Sequence, residues 1–250
     1  MLINGHSLNV EQSGPEHGPV VVLLHHGLGS VKAWRGQIPV LAEAGYRVVA
    51  YDRWGYGGSQ GRTGLDLPTF TSDIQDLRNL LDQLGIKRAA LVGHSDGGTI
   101  ALYFSAQQPH RISCLVSVAA HIYVEPKMEP GILGIQQDFE TNPRFRQGLH
   151  SAHGAEYEAV FHHWFDGWKR IGSLSWDMRP VLGQINCPAL IVQGEADEHA
   201  TPQHARDITA AIPGADLWLI PGAGHMLPQE CASIFNPRLL QFLKKYGMGE

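Results

Sequence analysis

Apolar and polar positions along the chain fall into two alternating patterns. Short continuous apolar runs have the length and β-branched content of strands buried on both faces: PVVVLLH (residues 19–25), YRVVAYD (46–52), RAALVGH (88–94), ISCLVSVAA (112–120), CPALIVQG (187–194) and DLWLIPG (216–222). Between them lie stretches whose apolar residues recur at helical spacing. From Val31 to Ala44, the residues Trp34, Ile38, Leu41 and Ala42 share a face, and Gly45 suits the position just past a helix end. Pro68 fits a first helical turn; Phe70, Ile74, Leu77, Leu81 and Leu84 follow at 4-3-4-3 spacing, and Gly85 stops the helix. TIALYFSAQQ (99–108), a segment from about Pro202 to Ala211, and IFNPRLLQFLKKYG (234–247) complete the helical set. Such alternation predicts an α/β fold, a mostly parallel sheet covered by helices on both faces.

The alternation breaks once. Residues 121–184 contain no convincing strand, and Tyr157, Val160, Phe161, Trp164, Phe165 and Trp168 form one aromatic-rich stripe at i, i+3, i+4 spacing. An insertion of this size between two core strands reads as a helical cap on a core made of residues 1–120 and 185–250. A chain of 250 residues fits one α/β domain with such an insertion. Nineteen Lys and Arg against 24 Asp and Glu give a net charge of −5 with no basic stripe, which excludes nucleic acid as an expected partner. Cys114, Cys187 and Cys231 are isolated, odd in number and without CxxC spacing, so they read as reduced thiols. The N-terminal MLINGHSLNV has no basic region followed by an apolar one, and no apolar run approaches the ~18 residues of a membrane span. The expected protein is soluble and cytoplasmic, with no membrane partner.

The chemistry concentrates where strand-like runs end. GHSDG (Gly93–Gly97) matches G-x-S-x-G, with a strand before and a helix after. In that context the turn is sharp, Ser95 is held outside the sheet, and the glycines prevent clashes. A serine hydroxyl is a weak nucleophile that needs a base, and the base needs an orienting carboxylate. Serine elbows of this kind are followed in chain order by the acid and then the histidine. ALIVQGEADEH supplies Glu195, Asp197 and Glu198 after a strand; Asp197 has two residues of loop in which to turn back, and Glu195 is its main rival. LIPGAGH ends at His225, also just past a strand. The oxyanion that forms on attack needs backbone donors. Those expected are the N–H of Asp96 and that of Leu28, in the loop HHGLGS, which His25 and His26 are placed to tether. Asp52 and Arg53 read as loop-fixing residues. His150, His153 and Glu156 read as solvated cap residues, since Gly154 weakens any helix that would align them on a metal. Neither a metal site nor a cofactor is expected.

HHGLGS, YDRWGYGGS, GHSDGG, ALIVQGEADEHATP and GAGH, in this order, resemble the α/β-hydrolase superfamily across the whole chain. Within it, GHSDGG, WFDGW and INCPALIVQGEAD are similar to the biphenyl hydrolase-like proteins, the valacyclovir hydrolase group, which hydrolyses esters of α-amino acids. The resemblance implies an α/β-hydrolase fold with Ser95 as nucleophile, His225 as base and Asp197 as its partner. It also implies that Asp96 meets a substrate ammonium. Most members of the superfamily carry an uncharged residue after the nucleophile, which sets Asp96 apart. A carboxylate there gains ~0.3–1 kcal/mol from the helix dipole, yet it places negative charge where an oxyanion must form unless a cation compensates. The expectation is a hydrolase of small carboxylic esters acting through an acyl-enzyme, with Asp96, Trp164 and Trp168 contacting the substrate. A carbon–carbon bond hydrolase or lactonase on the same fold is the alternative, and a ligand-binding receptor on a hydrolase scaffold is a third reading that an intact triad counts against. Epoxide hydrolase or dehalogenase chemistry would need a carboxylate at the position of Ser95.

Overall fold

The computed structural model describes residues 1–171 and 175–247. A two-stranded hairpin, β1 (Leu2–Ile3) and β2 (His6–Ser7), precedes the edge strand β3 (Val10–Ser13). Then follow β4 (Val20–Leu24), α1 (Ile38–Glu43), β5 (Arg47–Tyr51), α2 (Thr71–Gln83), β6 (Ala89–His94), α3 (Asp96–Gln107) and β7 (Ile112–Val118). Four helices come next: α4 (Met128–Thr141), α5 (Pro143–His153), α6 (Tyr157–Ile171) and α7 (Arg179–Leu182). The chain ends with β8 (Ala189–Gly194), α8 (Gln203–Ala211), β9 (Asp216–Ile220), α9 (Leu227–Glu230) and α10 (Ala232–Tyr246). The large sheet has the order β3-β5-β4-β6-β7-β8-β9; β3 pairs antiparallel with β5, and every other pairing is parallel.

The apolar runs are continuous because both sheet faces are covered. Val22 and Leu24 of β4 join one buried cluster with Ile74 and Leu77 of α2 and Ile100 and Phe104 of α3. Val21 and Leu23 point the other way, into a second cluster with Leu41 of α1 and Leu239 and Phe242 of α10. Phe161, Trp164, Phe165 and Trp168 of α6 belong to the first cluster, so the aromatic stripe closes over the sheet's α3 side.

Three expectations are corrected at element boundaries. Val31–Ala44 is not one helix: Val31–Trp34 is a 3₁₀ turn, and α1 starts afresh at Ile38, where Pro39 occupies its first turn. Proline is compatible with that turn because the N–H it lacks has no helical acceptor there. Pro68 lies ahead of α2, whose first turn is instead capped by Asp66, its carboxylate accepting from Ser72 N–H (2.6 Å). The helix expected at 99–108 begins three residues earlier, so Asp96 is its first residue.

Candidate active site

Ser95 stands where β6 ends and α3 begins. Its φ is positive (φ 55°, ψ −119°), a conformation that costs a non-glycine residue ~1–3 kcal/mol and persists only where the surroundings enforce it. Here Ser95 N–H donates to Val118 O (2.8 Å), and Ser95 O accepts from Thr99 N–H (3.0 Å). The approach is too close for side chains on either flank. A Cβ on Gly93 would meet Gly97 O at 2.1 Å, and one on Gly97 would meet Leu24 O at 2.2 Å.

Asp197 and His225 leave the ends of β8 and β9, neighbours in the sheet. Asp197 Oδ2 accepts from His225 Nδ1 (2.8 Å) and from Gln193 Nε2 (2.7 Å), while Oδ1 accepts from the N–H groups of His199 (2.8 Å) and Ala200 (3.0 Å). Burial works against this carboxylate, but His225 and the two backbone donors outweigh it and hold its pKa far below the usual range. Glu195 is exposed. Glu198 accepts from His225 N–H (3.1 Å), and His94 Nε2 bonds His225 O (2.9 Å), so the histidine's backbone is fixed as well as its ring. Burial lowers the pKa of His225, but the hydrogen bond and charge of Asp197, helped by Glu198 and Asp96, turn the balance upward. The imidazoles around it shift the other way: burial and the His225 charge push His94 and His121 down to about 3 and His199 to about 4. His225 is therefore the titrating member of the group.

Leu28 follows β4 in a tight turn closed by Gly29 N–H on His26 O (3.1 Å). His25 tethers this turn as expected, with Nδ1 on His26 O (2.7 Å) and Nε2 accepting from Arg53 N–H (3.0 Å). Gly27 is required because Trp164 of α6 packs directly on it: a Cβ there would meet the indole Nε1 at 2.0 Å and Asp96 Oδ2 at 2.8 Å.

Asp96 has a neighbour that its local sequence does not reveal. Its Oδ2 lies 3.4 Å from Arg53 Nη2, and both side chains are almost fully buried, at 2% and 1% exposure. Arg53 also meets Asp73 (3.2 Å), Asp73 meets Arg62 (3.2 Å), and Arg62 meets Asp66. The ladder holds three carboxylates and two guanidiniums, so one negative charge is left over. Asp96 stands at the cavity end of the ladder with its longest contact, and burial pushes its carboxyl above the ordinary value against the pull of Arg53.

Ser95, Asp96, Leu28, His225, Trp164 and Trp168 all line one cavity of about 1000 Å³, so each residue expected to react with or contact the substrate reaches the same space, with Asp197 behind His225. Its far wall comes from α4 and α5 and is mostly apolar, through Met128, Ile132, Ile135, Phe145 and Leu149, with Asp138 and Arg144 also lining it. His121 and His199 also line it, and neither is among the expected site residues: His121 follows a strand with no motif around it, and His199 stands in ALIVQGEADEHATP directly behind the carboxylates that supply the expected acid.

Two further loop residues organise the site. Asp52 acts as the expected anchor, accepting from Val31 N–H (2.6 Å), Gly58 N–H (2.7 Å) and Asn9 Nδ2 (2.9 Å). His153 contradicts the expectation of solvated cap residues. His150 and Glu156 are exposed, but His153 is buried, with Nδ1 2.9 Å from Gly57 N and Nε2 3.0 Å from Leu28 O. Gly154 ends α5 immediately after it, so the helix break delivers His153 into the loops below. Among the described residues no cluster of three or more His, Cys, Asp or Glu side chains is arranged to hold a metal ion, and no helix is long and apolar enough to cross a membrane.

A sheet of this order with a serine elbow after β6 and a His–Asp pair after β8 and β9 defines the α/β-hydrolase class, and the chain belongs to that family: its sequence profile, described as the alpha/beta hydrolase fold, matches residues 19–178. The chain is 34% identical to the human protein named serine hydrolase BPHL, across 97% of this chain and 84% of that one. It is 30% identical to the putative carbamate hydrolase RutD of Variovorax paradoxus, across 95% and 96% of the two chains. Among solved structures it superposes on the enol-lactonase of Burkholderia xenovorans LB400 with a TM-score of 0.76 at 26% identity, covering 98% of this chain and 99% of that one. These likenesses support a hydrolase.

Proposed function

We propose that the protein hydrolyses carboxylic esters through an acyl-enzyme on Ser95. The observation that carries this reading is the buried His225–Asp197 pair (2.8 Å) opening onto the same cavity as Ser95. His225 takes the Ser95 proton as the hydroxyl oxygen attacks the ester carbonyl, and later returns it to the departing alcohol. Asp197 holds the ring in the tautomer with the proton on Nδ1 and stabilises the imidazolium. The N–H groups of Leu28 and Asp96 receive the oxyanion. Asp96 N–H is a first-turn donor that a helix leaves unpaired, and among the described residues Leu28 N–H has no acceptor. Water then enters, His225 removes its proton, and the acid is released. Residues 121–184 act as the cap that shapes the acyl and alcohol sites.

Esters of α-amino acids are the substrates this site suits best. The Asp96 carboxylate, one end of the Asp96–Arg53–Asp73–Arg62–Asp66 ladder with its three carboxylates against two guanidiniums, lies at the cavity wall beside Ser95. An α-ammonium would neutralise it and remove the repulsion that a carboxylate exerts on a nearby oxyanion. The likeness to BPHL, which is named a serine hydrolase, supports the nucleophile. A fluorophosphonate should label Ser95, and Ser95→Ala should abolish labelling and remove nearly all turnover of activated short-chain esters, down to the residual that binding and the oxyanion site supply. Label on any other residue, or an active Ser95→Ala enzyme, would refute the mechanism.

A further inference from the structure

We propose that His153 is a positioning residue for the oxyanion site, holding the Leu28 peptide in place from the helical segment above it. This rests on the reading of Leu28 N–H as an oxyanion donor and adds to it the group that keeps that donor aimed.

The hydrogen bonds define the ring's state. Gly57 N–H can only donate, so Nδ1 of His153 accepts and carries no proton; Nε2 therefore bears the hydrogen and donates it to Leu28 O. Burial favours this neutral form by lowering the pKa of the ring. The two partners lie 96 and 125 residues away in sequence, one in the Asp52–Ser59 loop and one in the turn after β4. One side chain of α5 thus joins two core loops.

The turn around Leu28 is held at both carbonyls and left open at the donor. His26 O takes Gly29 N–H, His25 Nδ1 and a long contact from Arg53 Nη2 (3.4 Å). Among the described residues Leu28 O takes His153 alone. Leu28 O and Gly29 N–H belong to one peptide unit, pinned by His153 at one edge and by His26 O at the other; Leu28 N–H belongs to the preceding Gly27–Leu28 unit, which meets this pinned unit at the Leu28 Cα and takes its position from it. Oxyanion stabilisation depends on donors already in place, because reorganisation at the moment of reaction costs part of the gain. Without His153, the Leu28–Gly29 unit keeps only its bond to His26 O and can pivot about it, which shifts the Leu28 Cα and with it the adjoining Gly27–Leu28 unit that carries the donor N–H.

Three substitutions separate the two bonds. Gln at 153 reaches the Nε2 position and can donate to Leu28 O; Asn reaches only the Nδ1 position and can accept from Gly57 N–H; Ala makes neither bond. His153→Asn and His153→Ala should lower kcat about 10–100-fold with KM changed less than about 3-fold, and His153→Gln should restore kcat to within a few-fold of the wild type. Phosphonylation of Ser95 should slow in the same order. Retained kcat in His153→Asn with loss in His153→Gln would overturn the proposal, since the Gly57 bond would then be the one that matters. So would equal losses in all three that track their melting temperatures. An unlabelled Ser95 in the wild type would instead refute the mechanism beneath it, which keeps the two failures apart.

Discussion

At the residue scale the site is a problem of charges held in a dry place. Asp197 accepts four hydrogen bonds and stays ionised; His225, against it, is the imidazole pushed up while its neighbours are pushed down. Asp197→Asn should cut kcat by orders of magnitude, up to about 10⁴-fold, whereas Glu195→Gln, at an exposed position, should stay near wild type. The reverse result in kinetics of the two variants would assign the acid to Glu195. Because the base must be neutral, kcat/KM should fall on the acid side with an inflection above the ordinary 6.5 of histidine. Asp96 contributes to that upward shift, so Asp96→Asn should move the acid limb to lower pH. The amide keeps an acceptor for Arg53 and the backbone N–H, which makes Asn a cleaner probe than Ala. Truncating one partner of a buried charge pair costs roughly 2–5 kcal/mol, so Asp96→Asn should lower kcat/KM for an α-aminoacyl ester at least about 30-fold relative to its amine-free analogue. A parallel fall for both esters would reduce Asp96 to a part of the turn's geometry. GHSDG announced itself in the sequence because an elbow is a local object, five residues with fixed needs. Arg53 beside Asp96 and His153 on Leu28 did not, since those contacts join residues 43 and 125 positions apart with no spacing to betray them.

At the element scale, what could be read from the chain followed burial. β4 through β8 are covered on both sheet faces and appear as apolar runs, and the half-buried edge strand β9 continues the pattern, which makes the parallel α/β fold legible. The hairpin β1–β2 and edge strand β3 escaped notice: His6–Ser7 and Val10–Ser13 are short, polar and mostly at the surface, so no period marks them. Their partners are supplied by the fold, β3 by the backbone of β5. The helix α6 was legible for the opposite reason, as its stripe of large aromatics recurs at helical spacing over the whole element. That stripe faces two ways. Phe161 stacks on Phe139 of α4 (3.8 Å between ring centroids), while Trp164 and Trp168 reach the cavity beside Ser95. Trp164→Ala and Trp168→Ala should therefore change the kcat/KM ratio between esters of small and bulky acyl groups by about 10-fold or more, with a smaller change in labelling by a small phosphonate. Equal losses across all probes would indicate general destabilisation.

At the scale of the whole molecule, the helical segment must stay attached while the cavity beneath it admits substrate. One attachment is electrostatic and lies on the sheet side, at the start of the segment. Glu125 accepts from Thr201 N–H (2.7 Å) and Thr201 Oγ1 (2.6 Å), in the loop that also carries Asp197, and stands 3.2 Å from His204 of α8. Lys127, two residues on, donates to Asp197 O, so the same short stretch touches the acid loop twice. Burial would raise the pKa of Glu125, but His204 and Thr201 outweigh it and hold the carboxyl at about 2. A carboxyl depressed in the folded state contributes stability that is fully present above its unfolded value, near 4.5, and is lost as pH falls through the folded one. Glu125→Gln keeps the shape and most of the hydrogen bonds and removes the charge. At pH 7 it should cost about 1–2 kcal/mol after solvent screening, a fall in Tm of roughly 2–8 °C for a domain of this size. Below pH 4.5 the gap between variant and wild type should narrow, and near pH 2–3 most of it should be gone. A gap that stayed constant from pH 7 to pH 3 would mean that the substitution acts through packing and not through the ionised carboxylate. Because the tie joins the segment to the loop behind His225, the same variant should lose hydrolase activity at temperatures where the wild type keeps it, in advance of global unfolding followed by circular dichroism.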